Sequence, residues 1–223
     1  MKKISYVILV LVLSGTLLTA QTKFGLGING SYLSPTGDFG DVYKSGFGGS
    51  GSLSFDATSN LQLSVSVGYS QFSFNNDKFN QLLSDFFSAF GPTTNVDIQS
   101  KLNVVPIMLG AKYFVVNTGF KPYALVELGL HFISADAASI KVNGQLMDAV
   151  AGQSKTATAY ALGVGFIYKI APKINLDVNG KLNGNNLEVG TNMSASSSGS
   201  LVSTSSKSTV AFFSVGVGLH IEL

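Results

Sequence analysis

The feature that most narrows what this chain can become is a two-residue alternation, repeated eight times, that sets bulky apolar side chains against small or polar ones. The last repeat shows it most plainly. Phe213, Val215, Val217, Leu219, Ile221 and Leu223 share one face, while Ser214, Gly216, Gly218, His220 and Glu222 share the other. Successive side chains of a strand point to opposite faces, so this period marks β-strands. Thr158, Tyr160, Leu162, Val164, Phe166 and Tyr168 repeat the pattern against Ala157, Ala159, Ala161, Gly163 and Gly165. The eight segments fall at about 23–33, 46–57, 61–74, 101–115, 122–135, 156–170, 174–182 and 208–223. Phe72 and Phe74 leave the phase of the third segment, which predicts a bulge near Ser70 or the end of that strand. Pro106 removes a ladder donor from the fourth and predicts a local bulge there.

The connections alternate in length. Short turns at Thr58-Ser59-Asn60, Asn117-Thr118-Gly119 and Ala171-Pro172-Lys173 alternate with long loops at about 34–45, 75–100, 136–155 and 183–207. Short turns at the periplasmic end and long loops outside are the pattern of outer-membrane barrels. Within the second long loop, Phe79, Leu82, Leu83, Phe86, Phe87 and Phe90 recur at helical spacing, predicting an amphipathic helix over 76–90. Two readings of that helix stand: its apolar face packs on the barrel rim or its own loop, or it contacts a hydrophobic ligand or the membrane interface. The serine-rich stretch 194–208 reads as an exposed, mobile loop.

Met1-Lys2-Lys3, the apolar run Ile4 to Leu13 and the small residues up to Ala20 read as a secretory signal. The expected organisation is therefore residues 1–20 as signal peptide and residues 21–223 as one barrel domain. Cleavage before Gln21 removes two of fourteen lysines and leaves twelve cations against twelve acids, a formally neutral chain. With no arginine and no basic run, nucleic-acid binding has no electrostatic footprint. With no cysteine there is no disulfide framework and no thiolate chemistry. Beyond the leader no apolar run reaches the ~20 residues of a transmembrane helix, so a membrane-spanning chain of this kind has to close into a barrel that pairs every backbone group.

Alternation alone does not separate a membrane barrel from a soluble barrel or sandwich; the small, polar face does. Only 12% of the chain is charged, which makes that face a poor aqueous surface but a fitting interior for a narrow eight-stranded cylinder. The expected fold is all-β, an eight-stranded antiparallel up-and-down transmembrane β-barrel. Its lumen is expected to hold Asp56, Lys112, Glu127, His131, Asp177, Lys181, His220 and Glu222, with Gln62, Asn175 and Asn179 beside them. Charges in such an interior need partners. Lys112 and Glu127, on strands joined by a short turn, are expected to be one pair. The network reads either as a polar plug or as part of a conducting path.

Catalytic and cofactor readings fare poorly. His131, Ser134 and Glu127 could be cast as a hydrolase set, but His131 and Ser134 lie an odd number of residues apart and point to opposite faces of a strand. Neither His131 nor His220 has a second histidine at ligand spacing. Gly25-Leu26-Gly27-Ile28-Asn29-Gly30 resembles a dinucleotide fingerprint superficially, yet it lies within a strand and opens no helix. No catalytic residue, cofactor or metal is expected.

Ser34-Pro35-Thr36-Gly37-Asp38-Phe39-Gly40-Asp41, then Lys44-Ser45-Gly46-Phe47-Gly48, Val67-Gly68-Tyr69, and Pro106 with Gly110-Ala111-Lys112-Tyr113 carry a resemblance. With these motifs the chain resembles the outer-membrane β-barrel domain proteins of Gram-negative bacteria, similar in layout to the OmpA, OmpX and OmpW barrels. The resemblance implies an integral outer-membrane protein, inserted by the outer-membrane assembly machinery and surrounded by outer-membrane lipids and lipopolysaccharide. That machinery usually reads a last strand ending in an aromatic residue, where this chain has Leu223. Family members include adhesion-related and channel-forming proteins. The expectation is a monomer with a structural or surface-interaction role through four extracellular loops; the alternative is a narrow channel or binding site for small hydrophobic molecules.

Overall fold

The computed structural model describes residues 23–87, 96–116, 118–186 and 210–223. The expected signal segment 1–20, Phe90 of the loop helix, Asn117 and the serine-rich stretch 194–208 lie outside the described residues.

Eight strands close into an antiparallel barrel: β1 (Phe24–Pro35), β2 (Gly46–Asp56), β3 (Leu61–Ser73), β5 (Lys101–Phe114), β6 (Phe120–Ala135), β9 (Gln153–Ala171), β10 (Ile174–Asn185) and β11 (Phe212–Glu222). Each pairs with its chain neighbour in the wall, and β1 meets β11, from Gly25 opposite Glu222 to Pro35 opposite Phe212, to seal the cylinder. Closure leaves no wall strand with an open edge, which hydrocarbon requires. Among the described residues no helix is long and apolar enough to cross a membrane.

The alternation predicted from sequence is the wall itself. Leu26, Ile28, Val65, Val67, Leu109, Leu128, Leu162, Val164 and Val217 stand exposed on the outer surface. Aromatic residues mark its two ends: Tyr32 and Phe47 meet edge to face at 5.6 Å toward the long loops, and Phe120 and Phe166 pack at 5.1 Å toward the short turns. From Phe24 to Tyr32 a strand climbs about 27 Å, or roughly 20 Å along the barrel axis at the usual tilt, close to the apolar band of known outer-membrane barrels. Leu128 lies mid-strand on this surface, 61% exposed. Leu128→Arg is expected to lower stability in lipid vesicles by about 2–4 kcal/mol; an unchanged urea midpoint would place that face in water.

Of the alternatives for the third segment the strand's end holds, β3 stopping at Ser73 just before Phe74, and neither predicted bulge is present. β3 keeps one register against β2 throughout and one against β5, so there is no bulge near Ser70; Phe72 holds the inward phase and points into the barrel mouth. Its bulk misleads because the mouth, unlike the mid-lumen, is apolar. Pro106 also leaves the register intact: β5 and β6 pair continuously from Leu102 opposite Ala135 to Phe114 opposite Tyr123. The missing proline donor instead opens the β3–β5 ladder between the rungs Val67–Ile107 and Ser70–Val104.

The wall strands also run further than their alternation. β9 begins at Gln153, and β10 reaches Asn185, where Asn186 N still donates to Thr158 O at 3.0 Å. The long loops carry structure too. α1 (Asp38–Val42) follows β1, and α2 (Asn76–Phe87) is the expected helix, ending in Phe86 and Phe87. Beyond the sequence reading, β4 (Val96–Gln99), β7 (Ala138–Val142) and β8 (Gln145–Val150) form a separate sheet in the order β4-β7-β8. Two asparagines of α2 act as a surrogate strand along β4. Asn76 Oδ1 accepts from Ile98 N at 2.8 Å and its Nδ2 donates to Ile98 O at 3.1 Å; Asn80 does the same with Val96, at 2.9 and 2.8 Å. One residue per turn thus satisfies backbone groups that a strand edge leaves open.

Candidate functional site: the barrel lumen

The inward face is built in three layers. At the loop end, Leu33, Phe39, Phe72, Leu102, Val104, Ile133, Ala157, Val210 and Phe212 form one buried apolar cluster. Phe39 enters it from α1, and its ring lies 5.1 Å from that of Phe72, which lies 5.3 Å from Phe212. The chain turns into α1 at Gly37, whose φ of 58° favours glycine. At the short-turn end, Phe114, Tyr123, Leu125 and Ile167 form a second buried cluster. Polar side chains fill the space between the two.

Two ion pairs cross that middle layer. Lys112 Nζ lies 2.5 Å from Asp177 Oδ2, with both side chains 15% exposed or less. Lys181 Nζ lies 3.1 Å from Glu127 Oε2. The expected pairing of Lys112 with Glu127 is therefore incorrect. Register explains why: Glu127 lies opposite Gly110, and Lys112 opposite Leu125. The two are diagonal neighbours, and in so narrow a cylinder the far wall is as near as the adjacent strand. Lys112 passes over the Tyr123 ring, with Nζ 4.6 Å from its centroid, and reaches β10. The Tyr123 hydroxyl donates to the other Asp177 oxygen at 2.5 Å. Gly165, opposite Tyr123, makes room for that ring; a Cβ there would sit 2.5 Å from the hydroxyl.

The other expected lumen residues are bonded more locally. His220 Nε2 lies 2.9 Å from Ser54 Oγ; His131 Nδ1 lies 3.3 Å from Asn185 Nδ2, with its ring stacked on Phe212. Glu222 accepts from Asn175 at 3.2 Å, and Asp56 from Gln62 at 2.9 Å. Asn179 Nδ2 reaches Asp177 at 3.5 Å. Tyr123, Ser54, Asn183 and Asn185 were not singled out from sequence as network members. Parity places them inward, but only the closed register shows which charge or ring each meets.

Serines 50, 52, 54, 64 and 66 line the opposite wall, and among the described residues two cavities of about 60 and 50 Å³ lie inside the barrel and share Glu127 and Lys181 in their lining. That is room for a few waters. Among the described residues, His220 Nδ1 and Asn179 Oδ1 are buried without a hydrogen-bond partner. The Ser54–His220 pair therefore has no carboxylate on its second nitrogen, the third member that a hydrolytic triad needs. Among the described residues no cluster of three His, Asp or Glu is placed to hold a metal ion.

Outside the lumen, Phe79 packs edge-on against Phe74 at 5.8 Å, while Leu82 of the same helix is 63% exposed. Two exchanged ion pairs tie the first and second loops, Lys44 with Asp77 at 2.5 Å and Lys78 with Asp41 at 2.7 Å.

A closed cylinder that is apolar and aromatic-banded outside and polar within defines an integral outer-membrane β-barrel. The chain belongs to the outer membrane protein beta-barrel domain family, whose model matches residues 5–220. Its fold is similar to that of Neisserial surface protein A, at 16% identity and TM-score 0.50 over 92% of this chain and 100% of that one. It is likewise similar to a major outer membrane protein from Thermus thermophilus, at 10% identity and TM-score 0.51 over 92% and 100%. The attachment invasion locus protein Ail of Yersinia pestis resembles it at 13% identity and TM-score 0.45 over 91% and 97%. No curated protein sequence matches the chain.

Proposed function

We propose that this protein is a closed, non-catalytic outer-membrane barrel whose role is structural or lies in surface interactions made by its long loops. One observation carries the reading: a buried apolar cluster closes the loop end of the lumen, a second lines the β5, β6 and β9 side of the short-turn end, and two crossing ion pairs divide the space between them. The barrel is then a platform, and what it presents is α1, α2 and the β4-β7-β8 sheet. We take it to be a monomer, placed by the assembly machinery and bathed in lipid and lipopolysaccharide. The second reading, a binding site for small hydrophobic molecules, draws on the exposed Leu82 of α2.

Planar-bilayer recording separates a platform from a channel. The wild-type protein is expected to show no reproducible unitary current. A steady unitary current that changes when Lys112 or Glu127 is neutralised would replace the closed barrel with a conducting one. For the second reading, a hydrophobic fluorescent probe should bind the wild type and lose affinity in Leu82→Ser if α2 is the site.

A further inference from the structure

A hollow of about 460 Å³ lies at the loop end, where β3 and β6 finish and β4 gives way to β5. Its volume falls within the range of ligand pockets, about 300–1,000 Å³, and its wall includes Ser73, Phe74, Gln99, Ser100, Lys101 and Asp136. It is separate from the apolar mouth, sharing no residue with the buried cluster that closes the lumen. Parity sets it on the outer side of the wall. Phe72 and Leu102 face each other and are buried, so Ser73 and Lys101, the next rung, turn outward. Asp136 follows in the same way from Ala135, which packs on the mouth cluster, and Asp136 N donates to Lys101 O at 2.9 Å.

An outward polar track leads from this hollow down to the aromatic end of the apolar wall. The Asn103 amide donates to Asp136 Oδ1 at 3.0 Å, and Asn103 Oδ1 accepts from the Tyr69 hydroxyl at 2.7 Å and the Gln71 amide at 3.0 Å. Tyr69, exposed on the outer surface, marks the level where hydrocarbon gives way to headgroups. Ser73 lies four residues further along β3, about 13 Å of strand, or roughly 10 Å along the axis at the usual tilt. A phospholipid headgroup layer is only about 5–7 Å deep. The hollow therefore stands above phospholipid headgroups, at the level that a glycolipid's sugars reach.

We propose that this hollow binds the uncharged saccharide headgroup of a glycolipid in the outer leaflet; the proposal gives the surface-platform reading a ligand and rests on that reading. Charge selects the ligand class. Lys101 makes no ion pair among the described residues, and Asp136 stands beside it, so the site offers one cation and one anion. A hydroxyl both donates and accepts, so one sugar ring satisfies the Asp136 carboxylate and the Lys101 ammonium together. A phosphate would meet repulsion from Asp136. Ser73, Ser100 and Gln99 add hydroxyl and amide groups, and half-buried Phe74 gives an apolar patch for the C–H face of the ring. A free saccharide has the same chemistry, but the track down to Tyr69 ties the hollow to its own membrane.

The full chain in phosphatidylcholine nanodiscs, with and without digalactosyldiacylglycerol, tests this through nuclear magnetic resonance of the Gln99 and Asn103 side-chain amides. Saturable shifts are expected with the glycolipid, while free melibiose should move the same signals only at much higher concentration, because the membrane holds the lipid's sugar beside the site. Lys101→Met with Asp136→Asn, followed at Gln99, is expected to weaken binding about tenfold as charge-assisted hydrogen bonds are lost. Lys155→Gln, elsewhere at the loop end, should leave it unchanged. The wild-type titration stands even if the double variant folds poorly. No saturable shift with the glycolipid, or a stronger response to inorganic phosphate, would overturn the proposal, and an equal response to melibiose would overturn the membrane source. A conducting barrel would overturn the platform instead and leave this binding result readable on its own.

Discussion

Phe72→Ala is expected to destabilise the barrel by about 4 kcal/mol in urea titrations, within the range for removing a fully buried phenylalanine. Phe72 has no exposed surface and stands between Phe39 and Phe212, so its loss separates the ring that α1 inserts from the one that covers His131. A cavity at the mouth also joins the loop-end surface to the small polar cavity below, whose lining includes Phe212 and His131. The variant should therefore admit water deeper into the lumen and speed hydrogen exchange of the inner-end amides of β3 and β11. A loss under about 1 kcal/mol, with exchange unchanged, would mean that the mouth cluster does not seal the lumen.

The second large effect is expected at the crossing ion pair. Lys112→Met leaves Asp177 in a nearly enclosed space with, among the described residues, the Tyr123 hydroxyl and the Asn179 amide as donors. Removing one partner of a buried pair costs about 3–5 kcal/mol; water in the adjacent 60 Å³ cavity brings the expected loss to the lower end of that range. The double variant Lys112→Met with Asp177→Asn should recover part of the loss, because no charge is left stranded, giving a coupling of about 1–3 kcal/mol in a double-mutant cycle. Additive losses would show that the two side chains act independently. Glu127→Gln should not couple to Lys112→Met in this way, which separates the observed pairing from the one expected on adjacent strands.

Most of the barrel was legible because period two is a local signal. Each inward or outward assignment follows from parity along one strand, and the long and short connections order the strands without knowledge of register. Phe72 shows where that legibility ends. Its parity is inward throughout, but a phenylalanine on a face otherwise made of glutamine, serine and glycine reads as a slip in phase, because sequence does not mark where a lumen changes from polar to apolar.

Lys112 shows a second limit. Parity turns it inward, yet its partner depends on barrel circumference, tilt and register together, and none of these is local. The β4-β7-β8 sheet is not legible in the sequence for a third reason. Its strands run only four to six residues, and part of the stabilisation of β4 comes from Asn76 and Asn80, which the sequence marks as part of a helix.

The central physical claim is that the bulky, exposed face of the wall meets hydrocarbon. The chain has no tryptophan, so single tryptophans report without background. Leu128→Trp, Val67→Trp and Val217→Trp, each reconstituted in vesicles, should be strongly quenched by phospholipids brominated on their acyl chains and scarcely by aqueous acrylamide. Quenching by acrylamide, with no response to the brominated chains, would contradict the account.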